Sequence, residues 1–130
     1  MKRFIYISTL FIGSLMINTK VNAQSDLFDK IAAAIIKNNA ADVGPLSTAV
    51  AITIPGMNGT ISAQQTTTAL KGFFVNYPVT GFTIGTKKTT GNTPSFHAAM
   101  KTGNGHFDAF FSFRNVGGKF LITEIHFNPG

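Results

Sequence analysis

The sequence predicts an α+β protein, a cone-shaped roll whose helices pack on a strongly curved antiparallel sheet. Three observations predict it. From Val79 onward, apolar residues recur with period two in four stretches separated by short, glycine-rich joints, the pattern of strands linked by hairpins. Ahead of them, two stretches carry apolar residues at three- and four-residue spacing, the pattern of amphipathic helices. In the last stretch the apolar parity switches, and such a switch marks a bulge that bends a long strand. Helices gathered ahead of the strands must cover one face of the sheet.

The first helix is expected over Ser25–Asn38. Ser25 or Asp26 can cap it, and Asp26 and Asp29 favour the positive end of its first turn. Leu27, Ile31, Ala34 and Ile35 form its apolar face, and Asn38-Asn39 end it. Ala40–Leu46 reads as a short helix or turn, broken by Gly44-Pro45. Ala49–Ile54 reads as a strand. The turn dipeptides Pro55-Gly56 and Asn58-Gly59 predict a hairpin-like excursion around Met57–Ile61. Ser62-Ala63-Gln64-Gln65 has the form of a capping box. It opens a helix over Ala63–Asn76 with Ala69, Leu70, Phe73 and Phe74 inward. The run Thr66–Thr68 forms helix poorly, so packing must hold that turn. Tyr77-Pro78 stops the helix, because a residue before proline resists helical angles.

The four strands are Gly81–Thr89, Ser95–Lys101, Gly105–Arg114 and Lys119–Phe127. Phe82 and Ile84 share a face of the first. Phe96, Ala98 and Met100 share a face of the second. The third contains His106–Arg114, HFDAFFSFR, in which Phe107, Ala109, Phe111 and Phe113 alternate with Asp108, Phe110, Ser112 and Arg114. Phe110 thus puts a large apolar group on the otherwise polar face. In the fourth, Phe120 and Ile122 agree in parity while Ile125 and Phe127 do not, placing a bulge near Thr123-Glu124.

The start of the chain predicts a leader. Lys2 and Arg3 precede an apolar run, Phe4–Ile17, and Val21-Asn22-Ala23 has the small-x-small form of a cleavage site. The expectation is a signal peptide over residues 1–23, cleaved after Ala23, and one domain over 24–130, periplasmic or secreted. The apolar run is too short to cross a hydrocarbon core of about 30 Å comfortably. No membrane association is expected after cleavage. The chain has no cysteine, so neither disulfide nor thiolate metal site can form and packing alone must stabilise it. Its formal charge of +6 falls to +3 without Lys2, Arg3 and Lys20. That balance does not call for nucleic acid, and the phenylalanines are not interleaved with basic residues as a base-stacking platform requires.

The order of elements resembles the nuclear-transport-factor-2-like (cystatin-like) superfamily. Several segments are similar to a small secreted bacterial family of unknown function, number 4783. They are Leu27-Phe28-Asp29-Lys30-Ile31, Ile52-Thr53-Ile54-Pro55-Gly56, and Ser62-Ala63-Gln64-Gln65 leading to Phe73-Phe74. Gly105-His106-Phe107 and Gly117-Gly118-Lys119-Phe120-Leu121-Ile122 complete the set. The resemblance implies the cone-shaped roll but no particular activity, because the superfamily holds isomerases, dehydratases, transport factors and non-catalytic modules. It also implies a homodimer through the sheet face as one partner, with Phe110 as the natural anchor.

The chemistry-bearing residues are few. His97 lies opposite in parity to Phe96, Ala98 and Met100, and Asp108 can approach it across the sheet. As a general base and its orienter, this pair defines an alternative function, a cofactor-free isomerase or dehydratase. That reading requires both side chains to face the cavity between helices and sheet. Tyr77, the one tyrosine beyond the leader, sits at a helix end, unlike the inward tyrosines, histidines and carboxylates of superfamily enzymes. The plainer reading leaves the histidines on the solvent face. No HxH or HxxxH spacing predicts a metal, and no cofactor is expected. The reading adopted is a non-enzymatic module that binds a small apolar ligand or a protein. The cone residues Phe74, Phe82, Phe96, Met100, Phe111 and Phe120 would take the ligand, or the sheet face at Phe110 would take the protein.

Overall fold

The computed structural model describes residues 19–89 and 91–130. The expected signal peptide lies outside the described residues up to residue 18. Among the described residues, no helix is long and apolar enough to cross a membrane.

Helix α1 spans Thr19–Ile36. It therefore runs straight through Ser25 and Asp26, which are not its caps. Neither glycine nor proline intervenes between Thr19 and Ser25 to stop the helix earlier. Its end is a Schellman motif. Asn38 takes a left-handed conformation at φ 56°, its N–H bonds Ile35 O at 2.9 Å, and Asn39 N–H bonds Ala34 O at 2.9 Å. The Asn38 amide also accepts from Val79 N–H at 2.7 Å and donates to Val79 O at 3.3 Å. One asparagine thus ends α1 and ties it to the start of a strand. A 3-10 turn follows at Ala40–Asp42.

Strands β1 (Leu46–Ile54) and β2 (Met57–Ser62) form an antiparallel hairpin, closed at Pro55-Gly56 with Gly56 at φ 85°. Helix α2 spans Ala63–Asn76 and begins with both capping-box bonds: Gln65 N–H to Ser62 Oγ at 3.1 Å, and Ser62 N–H to Gln65 Oε1 at 3.0 Å. The three threonines each donate to the carbonyl four residues back, Thr66 to Ser62 at 2.8 Å, Thr67 to Ala63 and Thr68 to Gln64. These bonds let hydroxyls sit in a helix they otherwise disfavour.

The meander is β3 (Val79–Lys88), β4 (Ser95–Thr102), β5 (Gly105–Val116) and β6 (Lys119–Pro129). The sheet, however, has six strands in the order β2-β1-β6-β5-β4-β3. It is mixed, because β1 pairs parallel to β6, with Ile52 beside Ile125. The hairpin β1–β2 thereby covers the edge of β6 that the meander alone would leave open. The expected bulge is present: Ser112 faces Glu124 but Phe113 faces Ile122, leaving Thr123 as the extra residue. Thr123 Oγ1 donates to Ser112 O at 3.3 Å.

Both helices lie on one face of this sheet. A row of side chains, Phe96, Phe111, Ile125 and Ile52, crosses four strands on that face, each 0–1% exposed. Each helix adds a phenylalanine. Phe28 of α1 packs on Phe96 and Phe113 at ring-centroid distances of 4.9 and 5.3 Å. Phe73 of α2 packs on Phe107 and Phe127 at 5.4 and 4.9 Å. Burying one such ring contributes about 1.5–3 kcal/mol. Along α1 the buried set is Phe28, Ile31, Ala34 and Ile35, with Leu27 only partly buried.

Candidate functional site

The strand alternation that turns Phe107, Ala109, Phe111 and Phe113 toward the helices turns Asp108 and Phe110 to the opposite, outer face. Phe110 is half-buried there. Its cross-strand neighbours are His97 on β4 and His126 on β6. The rings are in contact, with centroids 4.7 Å apart for His97 and 6.0 Å for His126, the latter nearly parallel at 23°. The row continues through Thr53 of β1, which pairs with His126, and Asn58 of β2. Thr53 Oγ1 donates to Asn58 Oδ1 at 3.1 Å.

Each of these two histidines has a carboxylate. His97 Nδ1 lies 3.3 Å from Asp108 Oδ2, and His126 Nε2 lies 3.1 Å from Glu124 Oε1. His97 and Asp108 are about half exposed, with side chains at 48% and 54%. Exposed pairs of this kind contribute about 0–1 kcal/mol, so they orient the imidazoles rather than stabilise the fold. Beside the His97–Asp108 pair runs an open groove of about 530 Å3 floored by Ala99 and Gly85 and edged by Lys101 and His106. The small residues of β3 and β4 leave this depression, and the long polar side chains frame it.

The sequence-derived candidates divide by face. His97 and Asp108 do come together, but on the outer face and not between helices and sheet. The isomerase or dehydratase reading required the inner position, and it fails on that geometry. Phe74, Phe82, Phe96, Met100 and Phe111 are buried on the helix side. Phe96 stacks on Phe111 with centroids 5.1 Å apart. Phe120 is half-buried at the far end of β6, beside Leu27 and Lys30. Phe110 stands where the alternation of β5 predicts. The contact of the second histidine–carboxylate pair with Phe110 is not readable from the sequence alone. The i, i+2 spacing of Glu124 and His126 puts both on one face. Their position beside Phe110, however, depends on the register that the Thr123 bulge sets. Among the described residues, no group of three or more His, Asp or Glu side chains is placed to hold a metal ion.

Comparison with known proteins agrees with the fold. Solved structures of DUF4783 family proteins resemble this chain closely in backbone. The protein from Bacteroides uniformis superposes with a TM-score of 0.74 at 19% identity, covering 78% of this chain and 95% of that one. The protein from Bacteroides fragilis gives 0.72 at 24%, covering 78% and 96%. An NTF2-like protein of unknown function from Shewanella baltica gives 0.64 at 15%, covering 86% and 94%. No curated protein matches the chain. The family model described as "Domain of unknown function (DUF4783)" matches residues 28–128. The match spans the second half of α1, all of α2 and all six strands but for Pro129, and the chain is a member of the DUF4783 family with a nuclear-transport-factor-2-like α+β fold.

Proposed function

We propose that the protein is a secreted, non-enzymatic binding module that engages a partner protein through the outer sheet face, with Phe110 as its anchor. The observation that carries this reading is the placement of Phe110. It is the one phenylalanine of β5 turned away from the helices, half-buried at the middle of the face between two imidazoles. An aromatic anchor ringed by polar groups is the usual anatomy of a protein interface. The exposed His97, Asp108 and Glu124 supply that rim.

A small apolar ligand between helices and sheet is less well supported. It would have to displace Phe96, Met100 or Phe111, which are 0–1% exposed. Opening that space costs the packing it removes, on the order of 24 cal/mol per Å3 of cavity. The outer face binds without such a cost.

The test replaces Phe110 by the photoreactive analogue p-benzoylphenylalanine in the producing cell, with Val75, 78% exposed on α2, as the control position. Irradiation is expected to give one discrete adduct from position 110 and none from position 75. An adduct of twice the chain mass assigns the face to a second copy, and any other mass to a different protein. No adduct, or the same smear from both positions, contradicts the reading.

A further inference from the structure

The two edges of the open sheet differ. β3 ends in two exposed lysines, Lys87 and Lys88, the usual protection of an edge against another strand. β2, at the other edge, reads Met-Asn-Gly-Thr-Ile-Ser. It has no charged residue and no proline, and every residue except Ile61 is exposed. Its hairpin closes with Ile54 opposite Met57. Alternation along an antiparallel ladder then aims the backbone groups of Met57, Gly59 and Ile61 at β1. The N–H and C=O groups of Asn58 and Thr60 are aimed away from it, at no partner among the described residues.

We infer that this edge pairs with β2 of a second copy, antiparallel and centred on Gly59. The strand is self-complementary in that register. Asn58 falls opposite Thr60 of the second copy, so the two residues exchange both N–H···O bonds and the two-fold repeats that pair. Met57 falls opposite Ile61 of the second copy. Both side chains lie on the helix side of the sheet, since their β1 partners are the buried Ile54 and Val50. There Met57, 39% exposed, and Ile61 border a neutral groove of about 360 Å3 whose other wall is Gln64, Gln65, Thr68 and Ala69 of α2. Pairing closes this groove with the second copy's Met57 and Ile61. Gly59 at the centre has no side chain, and open space surrounds it.

The two-fold axis of such a pair is perpendicular to the sheet. Both outer faces therefore point the same way, and the pair presents two Phe110 surfaces side by side. The inference is independent of what binds those surfaces.

Sedimentation equilibrium of the purified protein from low to high micromolar concentration tests it. Wild type is expected to shift from one chain toward two, with little change on adding salt, because no charge lies at the edge. Met57→Lys sets a lysine against Ile61 of the second copy and is expected to weaken association at least tenfold. Gln64→Lys, on the exposed helix wall, serves as the second variant should the first fold poorly. Lys88→Glu, on the opposite edge of the sheet, is expected to leave association unchanged. Amide exchange adds a direct readout: the Asn58 and Thr60 amides gain protection as concentration rises. A monomer at every concentration overturns the inference, and so does association lost in Lys88→Glu or retained in both Met57→Lys and Gln64→Lys.

Discussion

Phe110 and Phe111 are adjacent residues with opposite fates, and strand alternation alone separates them. Phe111 is fully buried, stacked on Phe96 and 5.9 Å from Phe127. Phe110 is only half-buried, between two histidines on the outer face. Truncating a buried phenylalanine costs about 3–5 kcal/mol. Phe111→Ala should therefore lower stability by that amount in urea titration. Phe110→Ser should lower it by less, about 1–2 kcal/mol, since its ring is already partly in water. Equal losses from the two would mean that both rings are core. The parity of β5 was legible in HFDAFFSFR because one face of the strand is apolar throughout. Phe28 was harder to read. Leu27 and Phe28 are both apolar, and a helix phase ambiguous by one residue, or 100°, cannot choose between them. Tertiary packing chooses Phe28, because its ring reaches Phe96 and Phe113.

The elements were legible wherever a local signal fixes them. The capping box at Ser62 and Gln65 set the first residue of α2, and both of its hydrogen bonds form. Ser62→Ala removes one of them and should cost about 1 kcal/mol, measured as a lowered denaturation midpoint without change of slope. The bulge was legible from the parity switch in β6, since Ile122 and Ile125 can both be buried only if one residue between them is extra. Deleting Thr123 therefore leaves a regular strand in which Ile122, Ile125 and Phe127 keep the helix side and Glu124 and His126 the outer face. That variant should still unfold cooperatively, losing only the bend that the bulge supplies. A deletion protein without cooperative unfolding would contradict the register given for β6. The start of α1 was misjudged because Ser25-Asp26 has the form of a cap, yet nothing upstream breaks the helix before it.

At the scale of the whole molecule, the roll of helices on a curved sheet followed from the switch of period at Val79. The pairing of β1 did not. A single strand flanked by a turn and a helix carries no local mark of its neighbour, and its parallel contact with β6 arises only when the chain closes. That closure completes the outer face, bringing Thr53 and Asn58 into line with His126, Phe110 and His97. The candidate site was thus half visible: the histidine–aspartate pair and Phe110 came from strand parity, while the contact of the second pair with Phe110 needed the register.

The account rests on Phe110 lying outside and the other phenylalanines of β5 lying within. Fluorine NMR of the purified protein labelled with 4-fluorophenylalanine tests this most directly, with a soluble paramagnetic probe added and resonances assigned by single Phe→Leu variants. The Phe110 resonance should broaden strongly while those of Phe107, Phe111 and Phe113 remain sharp. Broadening of Phe111 or Phe113 to the same degree, or a Phe110 signal as protected as theirs, would contradict the placement on which the binding face depends.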